Sequence, residues 1–143
     1  MFLKLLCLLA PVYLSSASIT LSGNPGPLQV STATAGHQPD SVKDDSTDYD
    51  LNFKDLEKKT NGNIHGALSA PLPKHTDLKV TFEAPEGASS STVSLTTTPQ
   101  VLVSNIKRKK FKNLQITYEF SANVEAGVIP LSPKILILTI TAN

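Results

Sequence analysis

The chain has a single cysteine, Cys7, and no tryptophan. Cys7 lies inside the apolar run Leu5 to Leu14, which reads as a removable leader. Without it the rest of the chain has no disulfide, no thiol nucleophile and no thiolate metal site. Only three histidines occur, His37, His65 and His75, and no two stand at i,i+2 or i,i+4, so they read as surface residues rather than ligands. Gly-x-Ser-x-Gly, His-Glu-x-x-His and phosphate-loop glycine patterns are missing. The expectation is a protein that is not an enzyme and that needs no cofactor. Basic excess is missing too. Lys4 is the one charge in the leader, and removing it from the 13 Lys and Arg leaves them equal to the 12 Asp and Glu. A balanced chain is not a general nucleic-acid binder. There is no Asn-x-Ser/Thr acceptor site.

Long hydrophobic runs are also scarce. Leu5 to Leu14 is too short for a membrane span, which needs roughly 20 residues. It follows the basic start Met1 to Lys4 and precedes the small residues Ser15, Ser16, Ala17 and Ser18. That order is the order of a secretory signal peptide. We therefore expect residues 1–18 to be a cleaved signal peptide and 19–143 a single domain beginning at Ile19, within a residue or two. The destination would be the periplasm, the cell surface or the medium. The alternative is a buried N-terminal strand or helix.

What the chain does have is alternation. Lys134 to Thr141 reads K-I-L-I-L-T-I-T, with Ile135, Ile137, Thr139 and Thr141 on one side and Leu136, Leu138 and Ile140 on the other. Side chains on a strand point to alternate faces, so this pattern predicts a central strand buried on both faces. Leu114, Ile116, Tyr118, Phe120 and Ala122 alternate with polar residues and predict one wet face and one core face. Leu78, Val80 and Phe82 do the same, and Val93 with Leu95 and Val101 to Ile106 give further strands. Ile19 with Leu21, Leu28 with Val30, and Ile64 to Leu68 are weaker runs. Thr34 to Asp48 is polar and predicts a long surface loop. Tyr49, Leu51 and Phe53 fit a strand, while Tyr49, Phe53 and Leu56 also fit a helix over 48–59, with Asn61-Gly62 as its stop. Gly/Pro/Asn clusters such as Ser22 to Pro27 and Pro85 to Gly87 mark turns. About seven to nine short strands with turns between them predict an all-β fold, an antiparallel two-sheet immunoglobulin-like sandwich.

Two charged stretches are candidate sites. Asp40, Asp44, Asp45, Asp48, Asp50 and Asp55 are clustered, and Asp44, Asp48 and Asp50, together with Ser46, fall at alternate positions. These three loosely resemble an oxygen-ligand loop for calcium, although Tyr49 stands where such loops need glycine. The plain alternative is a solvated acidic segment. Lys107, Arg108, Lys109, Lys110 and Lys112 form a basic run around Phe111. It could meet an anionic surface, such as a polysaccharide. Alternatively it is a lysine-rich hairpin tip that discourages edge-to-edge aggregation.

The stretches K-V-T-F-E-A-P-E-G-A-S-S-S-T-V-S-L (79–95), I-T-Y-E-F-S-A (116–122) and I-L-T-I-T (137–141) resemble secreted bacterial surface sandwiches, namely the spore-coat-protein-U-like and chaperone–usher-type pilin subunits. The N-terminal disulfide common in such pilins has no cysteines here. The resemblance implies a secreted structural or adhesive surface protein. Its partners would be further copies of itself, other surface subunits or an anionic polysaccharide. A secreted binding module for a carbohydrate or anionic polymer is the alternative.

Overall fold

The computed structural model describes residues 2–9, 17–30, 40–54, 61–127 and 132–142. They form two β-sheets packed face to face, an all-β sandwich. In chain order the strands are β1 (Phe2–Leu9), β2 (Ser18–Ser22), β3 (Leu28–Gln29), β4 (Asp40–Asn52), β5 (Gly62–Leu68), β6 (Thr76–Phe82), β7 (Ser89–Ser90), β8 (Val93–Ser94), β9 (Gln100–Ile106), β10 (Lys110–Ala122) and β11 (Ser132–Ala142). A 3-10 turn, Val124–Ala126, follows β10. One sheet runs β3-β1-β11-β5-β9-β7 and the other β2-β4-β10-β6-β8. All described pairings are antiparallel except β1 with β11, which is parallel. The strand count exceeds the expected seven to nine because β3, β7 and β8 are two-residue pairings and the N-terminal run adds β1.

β10 is the spine of its sheet. It pairs with β4 on one side and β6 on the other. Leu114, Ile116, Tyr118, Phe120 and Ala122 are all buried, as the alternation predicts. Burying each large apolar side chain favours folding by about 1.5–3 kcal/mol. Tyr49 on β4 and Phe82 on β6 meet beneath β10, with ring centroids 5.0 Å apart and planes tilted by 53°. The Tyr49 hydroxyl donates to the Glu83 carbonyl oxygen. Burial first, then the Glu83 carboxylate, push the Tyr49 phenol far above its ordinary value. Phe53 is fully buried and lies flat against Gly62, where a Cβ would sit 2.1 Å from a ring carbon. Only glycine fits under that ring.

Two expectations are corrected. The long loop expected over Thr34 to Asp48 is a strand from Asp40 onward. β4 hides there because its wet face carries Lys43 and Asp48, while its inner face offers only half-buried Val42 and buried Thr47 before Tyr49. Thr47 is fully buried, and its hydroxyl has no hydrogen-bond partner among the described residues. Over 48–54 the strand reading of Tyr49, Leu51 and Phe53 holds over the helical alternative, with β4 running to Asn52 and a turn at Lys54; 55–60, including Asp55, lie outside the described residues. β11 is central in its sheet, between β1 and β5, but it is not buried on both faces. Leu136, Leu138 and Ile140 are in the core, whereas Ile135, Ile137 and Thr139 are half-buried. A sandwich has only two layers, so the outer face of a central strand is screened by its neighbours alone. The β-branched residues there satisfy strand preference rather than core packing.

The N-terminal apolar run is, in the chain described, β1: Leu3 to Leu9 are in register with Ser132 to Leu138. Residues 10–16 after it, which hold the rest of that run, lie outside the described residues.

Leu138→Asp would place an unpaired carboxylate between the sheets, at a cost of several kcal/mol against a domain stability of about 5–15. It should abolish the cooperative thermal melt. Ile137→Asp on the half-exposed face should lower the melting temperature and leave the transition in place. Equal loss in both variants would contradict the wet outer face.

Candidate functional site at the basic end

Between β9 and β10 the chain turns over Lys107 to Lys109, and the Lys109 amide donates to the Lys107 carbonyl at 2.8 Å. The Phe53 amide donates to the Lys109 carbonyl at 2.9 Å. That bond brings the end of β4, and with it Lys54, to the same end of the sandwich. Gly87 has a positive φ of 80°, and a Cβ there would come 2.7 Å from the Lys107 Cε. The Lys107 stem therefore lies across the Pro85 to Ala88 turn. Lys110 and Lys112 do not belong to the tip, as expected from sequence, but to the first residues of β10. Phe111 between them is half-buried and packs against the core. A register shift between Phe111 and Leu114, with Asn113 at φ 55°, lets Lys112 stay outside while Leu114 returns to the core. Asparagine tolerates this left-handed conformation better than most residues.

Lys54, Lys107, Arg108, Lys109, Lys110 and Lys112 are all exposed. The ion pairs among the described residues, Lys43 with Glu119 at 3.9 Å and His75 with Glu125 at 3.4 Å, involve none of them. Six cations thus share one end, and their mutual repulsion is relieved by salt or by an anionic partner. Lys54 escaped the sequence reading because only the hydrogen bond from Phe53 to Lys109 places it there.

Beside the tip, β2, β4 and β10 line an open groove of about 240 Å³. Ser18, Asn52 and Lys110 lie in one register row across the three strands, and Thr20 lies opposite Asp50. Asp50 Oδ1 accepts from the Asn113 amide at 2.8 Å. Ser18, Thr20 and Asn52 were not singled out from sequence, since no spacing along the chain marks residues joined only by strand pairing.

The structure separates the acidic candidates. Asp44 is occupied by its own chain: it accepts from the Ser46 amide at 2.9 Å, the Ser46 hydroxyl at 2.7 Å and the Gly26 amide at 3.2 Å. Partial burial raises its pKa, but these three hydrogen bonds together outweigh that and hold the carboxyl below its ordinary value. Asp48 and Asp50 are half-buried on β4, and Asp45 is exposed. Among the described residues no three His, Cys, Asp or Glu side chains are gathered as a metal site would require. His65 lies 3.5 Å from the Thr141 hydroxyl, His75 is at the other described ion pair, and His37 lies outside the described residues. His65 is on β5 of one sheet and His75 just before β6 of the other. Among the described residues no helix is long and apolar enough to cross a membrane.

No family model matches the chain, and no curated protein or solved structure matches it.

Because the folded pKa of Asp44 is depressed, its contribution to stability is complete above the unfolded carboxylate value near 4 and is lost as pH falls through it toward the folded value. Asp44→Asn should therefore flatten the acid limb of the stability curve below about pH 4. Urea melts at stepped pH would show it. An acid limb as steep in the variant as in the parent would mean that these hydrogen bonds do not favour the ionised form.

Proposed function

We propose that this is an exported, non-enzymatic adhesive protein of the cell surface whose basic end binds an anionic polymer, an acidic polysaccharide. The observation that carries the reading is the gathering of six exposed cations at one end of the sandwich, with no carboxylate paired to them among the described residues. A strong local field of one sign on a chain of near-zero net charge suits a polymer with repeated negative charge. Export is supported by the leader-like order of Met1 to Ser18. The cell-surface role is supported by the likeness of the 79–95, 116–122 and 137–141 stretches to secreted surface sandwiches.

Replacing Lys54, Lys107, Arg108 and Lys109 with Ser should strongly reduce retention on a polyanion resin. It should also flatten the dependence of retention on salt, since surface charge attraction is screened within about 10 Å at 0.1 M. Stability should shift by no more than about 0.5 kcal/mol per exposed substitution. Unchanged retention would leave the tip with the anti-aggregation role alone.

Mass spectrometry of exported material should find a chain that begins near Ile19 and lacks Cys7. An exported chain that still carries Met1 would overturn the leader assignment.

A further inference from the structure

The groove beside the tip has a mixed set of groups that the tip lacks. Lys110 and Lys112 supply two ammonium groups with no carboxylate partner among the described residues. Asp50 spends Oδ1 on the Asn113 amide, which leaves Oδ2 as an acceptor without a partner among the described residues. The Asn52 side-chain Oδ1 accepts from the Lys54 backbone amide at 3.4 Å, which leaves the side-chain NH2 of this groove-lining residue as a donor. Thr20 adds an exposed hydroxyl that remains in a chain beginning at Ile19. Simple ligand classes leave part of this set unsatisfied. A bare sulfate or phosphate would meet the lysines but be repelled by Asp50, which has no proton to offer it. A neutral sugar would satisfy Asp50 and Asn52 but leave both ammonium groups without a counter-charge. A sugar that carries both a carboxylate and neighbouring hydroxyls satisfies all of them. At about 240 Å³ the groove is smaller than the roughly 300–1,000 Å³ of drug-sized pockets. It has room for one ring of a polymer whose flanking residues run out over the open rim.

We infer that this groove is the subsite for one uronic-acid unit of an acidic polysaccharide. Lys110 and Lys112 hold the carboxylate, and Asp50 and Asn52 read the ring hydroxyls. The assignment rests on the polymer-binding reading of the neighbouring tip and adds to it the class of sugar. Charge alone would make any polyanion equivalent; the Asp50 carboxylate is what discriminates against polymers without hydroxyls at the right place.

The test is calorimetric titration of the exported protein with polygalacturonate, dextran sulfate and neutral dextran, in the parent chain and in Asp50→Asn. That substitution retains an oxygen for the Asn113 amide, replaces the groove-facing acceptor with a donor and removes a negative charge beside two lysines. If only charge attracts the polymer, both anionic polymers should bind the variant more tightly. If Asp50 accepts from sugar hydroxyls, polygalacturonate should bind it tenfold or more weakly, while dextran sulfate binds as well or better. Thr20→Val, exposed and outside the Asn113 bond, makes the same comparison should Asp50→Asn fail to fold, with polygalacturonate alone weakened. Tighter binding of both polymers by Asp50→Asn overturns the subsite. A parent chain that binds dextran sulfate but not polygalacturonate overturns the subsite and leaves the tip reading standing. A parent chain that binds neither overturns both.

Discussion

Tyr49 reaches from β4 beneath β10 to the end of β6, and much of the five-stranded sheet is held in place by that reach. Its ring packs on Phe82, and its hydroxyl donates to the Glu83 carbonyl oxygen. Strands two places apart in a sheet are roughly 9–10 Å apart, so a single side chain here spans three strands. Glu83 continues the connection. Its amide donates to the Gln115 carbonyl at 2.8 Å, and its carboxylate takes the Gln115 amide at 2.8 Å. Gln115 in turn donates its side-chain amide to the Asp45 carbonyl at 3.2 Å. The three strands are thereby locked in register just beyond the place where β10 is kinked.

That kink is where the site originates. A regular β10 would keep strict alternation from Lys110 to Ala122. The register shift before Leu114 inserts one extra residue in β10, and bulges of this kind re-aim side chains next to functional surfaces. Without it, either Lys112 would turn toward the core or Leu114 toward water. With it, Lys110 and Lys112 remain outside and Asn113 presents its amide to Asp50. The basic tip and the groove thus depend on the same few residues of backbone, which Tyr49 and Glu83 hold fast from below.

The sheet architecture was legible wherever alternation was strong. Leu114 to Ala122 and Leu78 to Phe82 announce one buried face each, and each has one. β4 was half legible, because its first residues put polar side chains outward and only Val42 and Thr47 inward. Period-two reasoning needs apolar residues to count. β11 misled in the opposite sense, since Ile135 and Ile137 are apolar without being in the core. The charged run of the site was plain in the sequence, but its partition between turn and strand was not. Lys54, Asn52 and Ser18 join it only through pairings between distant strands, which no local pattern encodes.

The parallel pairing of β1 with β11 has a consequence for the order of events on the ribosome. Leu3 to Leu9 find their partners at Ser132 to Leu138, far along the chain. Contacts between such distant parts of a chain form late, and the N-terminal part of a chain emerges first. Throughout synthesis the apolar run therefore has no strand to pair with from β11. During that interval it is a hydrophobic segment without its β-partner, open to any receptor that recognises such segments. The same residues that complete a sheet with β11 are, until β11 exists, available only to something else.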